Sequence, residues 1–159
     1  MIGSWKFLPK LNKGVGRLSY VATFIQVAAD CPVEYGVVPI SKKEAKPAHI
    51  IQYELLKEHP YFYNHEELLF QVYLLHKGIP LDQSGDILRQ IREDLFKKSH
   101  PCLRASQLPK KYGWGVHYNE VGRIAIYGKE TPEYRDFLEQ AGNKLTLLKA
   151  MRNKRVATS

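Results

Sequence analysis

The chain has 159 residues, of which 44% are apolar and 25% are charged, a composition typical of a globular protein with its own core. A domain of about 150 residues buries roughly two thirds of the surface of its unfolded chain, so folding needs neither disulfides nor a metal. The net charge of +8 predicts anionic partners, and no apolar run approaches the roughly 18 residues that a membrane span requires, so no membrane partner is expected.

The chain divides into a long central region and two short ends. Residues 1–18 show neither a helical nor a strand period, so we predict a loose N-terminal extension there. One globular domain is predicted over residues 19–155, followed by a C-terminal tail over residues 156–159. Pro9 and several lysines interrupt the apolar side chains near the N-terminus, which argues against a secretory signal and predicts a cytoplasmic location.

A strand and three helices are predicted in the first two thirds of the domain. Apolar side chains alternate over residues 20–28, which indicates a strand, and three prolines mark residues 31–47 as a long connection. Helical periodicity then predicts helices at residues 48–58, from Asn64 to Gly78, and from Ser84 to Leu95. Asn64 is a capping residue, and Glu67 stands three positions later as in a capping box.

The last third predicts a hairpin, a helix and a strand. The hairpin strands are residues 114–118 and 123–127, the helix begins at Thr131-Pro132 and ends at Gly142, and the strand covers residues 144–151. The order β-α-α-α-β-β-α-β predicts an α+β single domain, with a small, mainly antiparallel sheet and helices packed on one face.

Positive charge is concentrated in segments without acidic residues. Residues 95–119 hold five Lys or Arg and no Asp or Glu, and the chain beyond Glu139 holds another five without an acid. A guanidinium matches a carboxylate or phosphate with two parallel hydrogen bonds, so Arg104 is the best candidate to bind an anion, unless it pairs with an acid of its own protein.

The neighbours of Arg104 complete a predicted anionic-ligand site over residues 99–119, which we interpret as a loop bounded by Pro101 and Pro109 and the hairpin that follows it. Ser106 and Lys110 would assist Arg104, and Tyr112 or His117 would orient the ligand. Trp114 belongs to the same candidate set, although its position on a hairpin strand also fits a place in the core. The ligand is either a small anionic molecule or a partner that carries phosphate.

Two other classes of function stay open. Cys102 and His117 could form a nucleophile and base, but a free cysteine is more often an inert core residue, so the signal is weak and enzymatic activity is left undecided. Weak nucleic-acid binding fits the isoelectric point of 9.4 and the basic C-terminal segment LLKAMRNKRVATS, although no base-reading motif is present. No metal-ligand spacing or cofactor motif occurs, Cys31 and Cys102 fit free thiols, and no pattern defines an oligomeric state.

Several of these residues fall in longer motifs. The motifs are C-x-R-A-S at residues 102–106, L-x-K-x-Y-G-W-G-x-H at residues 108–117, G-x-I-A-x-Y at residues 122–127, TFIQVAADCP at residues 23–32 and KAMRNKR at residues 149–155. Together they resemble a family of small, mostly bacterial proteins catalogued as domain of unknown function six-one-five-seven, over about residues 19–155. Gln107 stands where the family has proline. The resemblance implies a stand-alone cytoplasmic domain whose shared residues gather at the predicted site, and it implies no activity, cofactor or partner.

Overall fold

The fold is built on a four-stranded sheet. A computed structural model describes residues 20–140 and 142–155 of the chain. Its strands are β1 (Thr23–Gln26), β2 (Trp114–Tyr118), β3 (Ile124–Gly128) and β4 (Thr146–Lys149). They lie in the order β3-β2-β1-β4, with β4 parallel to β1 and the other two pairs antiparallel, so the α+β class and the mainly antiparallel sheet are confirmed.

Within the described residues, five α-helices accompany the sheet. They are α1 (Ala48–Glu58), α2 (His65–His76), α3 (Gly85–Phe96), α4 (Gln107–Lys111) and α5 (Pro132–Glu139). The side chains of Asn64, Ser84 and Thr131 accept a hydrogen bond from the third backbone N–H of α2, α3 and α5. These are the capping residues that the sequence places at the helix starts.

The two faces of the sheet carry different helices. Ile25, Val116 and Ile126 belong to a core cluster with side chains of α1, α2 and α4, while α3 packs on α2 in a second cluster. Phe24, the neighbour of Ile25 on β1, packs with Tyr134 of α5. Since successive side chains of a strand point to opposite faces, α5 covers the face that the other helices leave open. The sequence patterns placed the helices on one face, and α5 is the exception.

Helix α4 lies inside the segment that we interpreted as a loop. Pro109 indicated a loop boundary, but it is the third residue of α4. The first N–H groups of a helix have no partner within it, so a proline in the first turn removes no helical hydrogen bond. The backbone of residues 107–111 is therefore fixed by helix geometry.

The chain ends remain as predictions. The predicted extension over residues 1–18 and the predicted tail over residues 156–159 lie outside the described residues. In the part of the chain that the structure does describe, none of the helices combines the length and hydropathy needed to cross a bilayer.

Candidate functional site

Arg104 lies in a 3₁₀ turn beside the end of β4. Its Nε donates to the carbonyl oxygen of Lys149 at 2.8 Å, and its own carbonyl oxygen accepts from the N–H of Met151 at 2.8 Å. Among the described residues the guanidinium has no carboxylate partner. Arg104 is therefore tied to backbone through one nitrogen, and its charge is not neutralised by an ion pair.

The segment after β4 runs along α4. Asn153 donates from Nδ2 to the carbonyl oxygen of Lys110 at 2.9 Å, in addition to the bond from the N–H of Met151 to the carbonyl oxygen of Arg104. These bonds hold two acid-free segments of the sequence side by side. We call the result the basic surface and define it by its cations: Arg104, Lys110, Lys111, Lys149, Arg152, Lys154 and Arg155.

One carboxylate lies against the basic surface. Asp30 accepts hydrogen bonds from the backbone N–H of Asn153 and of Lys154, both at 3.0 Å to Oδ2. These bonds, with the one from Asn153 first, hold the pKa of Asp30 below its ordinary value. Because its acceptor capacity is used by backbone, Asp30 anchors the segment and leaves the seven cations without an ion pair among the described residues.

Ser106 is engaged within the protein. Its hydroxyl donates to Oε1 of Gln52 at 2.7 Å and accepts from the N–H of Leu108 at 3.2 Å. The first bond joins α4 to α1, and the second caps α4. Ser106 is therefore a helix-capping residue, a role that was not predicted for it from sequence.

The two aromatic candidates are also engaged. The ring of Tyr112 stacks on His49 with centroids 5.2 Å apart. Trp114 is 6% exposed and donates from Nε1 to the carbonyl oxygen of Val37 at 2.8 Å. Of the two interpretations kept for Trp114, the structure places it in the core.

His117 lies on the α5 face of the sheet and is the end of a chain of hydrogen bonds. Its Nδ1 is 2.7 Å from the hydroxyl of Tyr61, which is 2.8 Å from the hydroxyl of Tyr127. Its ring stacks on Phe137 with centroids 4.2 Å apart. Burial lowers the pKa of His117 to about 4, so the imidazole is neutral near neutral pH. We call Tyr127, Tyr61 and His117 the relay.

Cys102 lies on the other face of the sheet from His117. Its Sγ accepts from the hydroxyl of Tyr20 at 3.6 Å, and Tyr20 packs edge-on against Tyr118 with centroids 5.3 Å apart. Tyr118 follows His117 on β2, so the two side chains point to opposite faces. The structure does not bring Cys102 and His117 together. A nucleophile and its base must lie within hydrogen-bonding distance, and this pair does not meet that requirement.

A cavity of about 400 Å³ lies beside Trp114, and two others border Cys102, Ser106 and His117. The first of these two, of about 240 Å³, lies between α1, α2 and residues 101–107 and is lined by Cys102 and Ser106. It is smaller than the roughly 300–1,000 Å³ of typical ligand sites. The second, of about 920 Å³, is lined by His117 and lies beside the β2–β3 turn; we call it the hairpin cavity. In the described part of the chain, no three His, Cys, Asp or Glu side chains are grouped as metal ligands would be.

The predicted site residues thus separate into distinct places. Arg104 and Lys110 belong to the basic surface, Ser106, Tyr112 and Trp114 support the α1 face, and His117 belongs to the hairpin cavity. Tyr61 and Tyr127 were not predicted as partners of His117, from which they lie 56 and 10 positions away. Tyr127 occurs in the G-x-I-A-x-Y motif, but no local pattern links either tyrosine to His117. The basic C-terminal segment was identified from sequence, but no sequence pattern predicts that it contacts Lys110.

These features define a small α+β protein with a basic surface at one end of its sheet and a cavity at the other. The model of DUF6157, a family of unknown function, matches residues 16–156, and the chain belongs to that family. None of the curated proteins and none of the solved structures gives a significant match to this chain.

Proposed function

We propose that the protein binds an extended, phosphate-bearing polyanion on the basic surface. The observation that carries this proposal is the set of hydrogen bonds between residues 149–153 and Arg104 and Lys110, which joins cations from distant parts of the sequence. Like charges held together repel each other, and a bound anion removes that repulsion. The arrangement therefore favours an anion with several charges.

The exposure of the cations favours a long anion over a small one. Lys111, Lys149, Arg152 and Lys154 are exposed, and none of the cations of this surface lines the cavity of about 240 Å³ beside it. A small ligand needs groups that converge in a concave site. Cations spread along a strip instead match a chain of phosphates, each contact releasing counterions from the polymer.

The aromatic residues indicate that such binding would not read bases. Bases of a single strand stack on free aromatic faces, but Tyr112 is stacked on His49 and Trp114 is buried. Contacts to phosphate alone carry no sequence information. We therefore propose binding to nucleic acid or polyphosphate through their backbone charge, in the cytoplasmic location that we predict.

Salt dependence tests this proposal. A labelled single-stranded oligonucleotide and inorganic polyphosphate are titrated with the protein at about 50 and about 200 mM salt, and affinity falls by orders of magnitude when several phosphates are contacted. The variant Lys110→Gln/Arg152→Gln/Lys154→Gln is expected to weaken binding to both, and to reduce the salt slope for the single-stranded oligonucleotide by about 0.7 for each lost phosphate contact. Arg104 is left intact because its Nε holds β4.

A charge-matched variant provides the control. Lys43→Gln/Lys77→Gln/Arg135→Gln removes the same net charge from three exposed residues outside the basic surface. It is expected to retain most of the affinity. Equal losses in the two variants, or an association that salt does not weaken, would contradict the proposal, and binding of the oligonucleotide without polyphosphate would show that bases are contacted.

A further inference from the structure

The hairpin cavity has the size and lining of a small-molecule site. Its volume of about 920 Å³ lies within the range of ligand pockets, and it opens between the β2–β3 turn, the end of α5 and residues 143–145. Phe137, Val121 and Leu145 give it apolar walls, and Val121 is 72% exposed. An exposed valine beside an aromatic ring offers a surface for the apolar part of a ligand.

The relay fixes what His117 presents to this cavity. A phenol is a stronger donor than a neutral imidazole N–H, and an imidazole nitrogen is a stronger acceptor than a phenol oxygen. These preferences favour hydrogen bonds that run from Tyr127 to Tyr61 and from Tyr61 to Nδ1 of His117, with the imidazole proton on Nε2. Nε2 has no partner among the described residues, so His117 can donate to a ligand.

Further donors line the same cavity, among them Asn119 and Lys144. Asn119 uses its Oδ1 to accept from the N–H of Val121 at 3.1 Å and of Arg123 at 2.9 Å, so its NH₂ group is the part left for a ligand. Lys144 is exposed and has no ion pair among the described residues. Glu120 is the one acid in the lining and offsets the charge of Lys144.

Backbone strain is concentrated around this site. Ala22 and Tyr61, with φ of 44° and 59°, are the two non-glycine residues with positive φ in the described chain. Ala22 lines the cavity, and Tyr61 holds Nδ1 of His117. Such conformations persist where the surroundings impose them, and they cluster at functional sites.

We propose that the hairpin cavity binds a small monocarboxylate. The carboxylate accepts hydrogen bonds from His117, Asn119 and Lys144, and the apolar body of the ligand packs on Phe137. A lining with one lysine and one glutamate favours a single negative charge over a phosphate dianion, which Glu120 would repel. This site is independent of the basic surface.

Amide NMR spectra test the proposal with three probes: benzoate, phenylacetate and hexanoate. Each is added to about 10 mM, so that binding with a dissociation constant in the millimolar range is still detected. At least one probe is expected to produce saturable shifts at Val121, Phe137 and Lys144, without comparable shifts at Lys110 and Arg152. No saturable shift with any probe, or equal shifts at the basic surface, would overturn the proposal. Inorganic phosphate that binds as tightly as the best carboxylate would overturn the assignment of the ligand class.

Variants separate the carboxylate contact from the positioning role of the relay. Lys144→Gln, on the exposed rim, is expected to weaken the best probe about tenfold, as for the loss of a charge-assisted hydrogen bond, whereas Lys77→Gln leaves it unchanged. Tyr61→Phe keeps the ring and removes the bond to Nδ1, so the imidazole ¹⁵N signals of His117 should change from one fixed tautomer to a mixture while probe affinity falls. Full affinity in both Lys144→Gln and Tyr61→Phe would contradict the proposed contacts.

Discussion

The two ends of the sheet differ in how they accommodate polar side chains: one end exposes cations, and the other buries part of a neutral imidazole. At the end where β1 and β4 finish, hydrogen bonds from Arg104 and Asn153 to backbone carbonyls join the segments that carry the seven cations, which form no ion pairs among the described residues. At the other end, His117 is half-buried, uncharged and bonded to Tyr61. The comparison shows that one small sheet supports a charge-based surface and a neutral, shaped cavity.

The difference follows from what covers each end. The basic end is crossed by residues 150–155, a segment without helix or strand. It carries the cations Arg152, Lys154 and Arg155, and of its side chains only Ala150 is buried. The cavity end lies beside α5, whose Phe137 stacks on both His117 and Phe24. Long-range charge effects are screened by salt within about 10 Å at 0.1 M, whereas packing contacts are not. The two ends should therefore respond to different perturbations.

The largest expected effect comes from Gly115→Ala on β2. A Cβ at this position would lie 2.4 Å from Cζ of Phe24 and 2.6 Å from Cε2 of Tyr134, so the aromatic cluster beneath the hairpin cavity must shift. We expect a loss of about 2–3 kcal/mol in the free energy of unfolding, as for an overpacked core. Chemical denaturation measures this loss, and probe binding at the cavity should weaken while polyanion binding persists.

A glycine in open space provides the control for that variant. A Cβ at Gly85, at the start of α3, meets nothing within 4 Å. Gly85→Ala is expected to change the free energy of unfolding by no more than about 0.5 kcal/mol. A Gly115→Ala protein as stable as Gly85→Ala would show that the cluster at the cavity end is loosely packed.

A smaller effect is expected in the pH dependence of stability. Burial depresses the pKa of His117 from 6.5 to about 4, so between these values the unfolded chain binds a proton that the folded chain does not. Stability from this group is present above pH 6.5 and is lost as the pH falls toward about 4. After discounting for partial exposure, the loss is on the order of 1 kcal/mol.

His117→Phe isolates this contribution because phenylalanine keeps a ring against Phe137. Tyr61 and Tyr127 are the titratable groups bonded in the relay, and Glu120 and Lys144 are the charged groups of the cavity lining. The variant should lose less stability than the wild type between pH 6.5 and about 4. Parallel profiles, or an imidazole that titrates near 6.5 in the folded protein, would refute the assigned burial.

The smallest effect is expected from Ser106→Ala at the basic end. The substitution removes the cap of α4 and the bond to Gln52, which should lower the free energy of unfolding by about 0.5–1 kcal/mol. Polyanion affinity should not change, because the hydroxyl already has two partners within the protein. If affinity fell at constant stability, Ser106 would belong to the binding surface after all.

Local signals predicted most of the fold. Asn64 and Thr131 form the expected caps, α3 follows Ser84 as predicted, and the hairpin of β2 and β3 matches its sequence pattern. The parallel pairing of β1 with β4 joins residues 23–26 to residues 146–149, and such a long-range contact has no local signal. Helix α4 was missed because Pro109 was interpreted without its place in the first turn.

The candidate sites were predicted less completely than the fold. Charge patterning identified Arg104 and Lys110 in one acid-free segment and the C-terminal cations in another, but their adjacency depends on Asn153 and on the backbone of Met151. His117 was identified from its residue type, whereas Tyr61 reaches it because residues 61–64 run along the outer edge of β3. A contact of this kind is decided by tertiary structure.

The position of β1 also bears on how the chain folds as it is made. β1 comes first in sequence but lies inside the sheet, between β2 and β4, which follow roughly 90 and 120 residues later. An emerging chain therefore keeps the backbone edge of β1 that faces β4 unpaired until residues 146–149 have left the ribosome. A chain stopped after α5 would retain the hairpin but expose one side of β1, and such an unpaired edge favours aggregation.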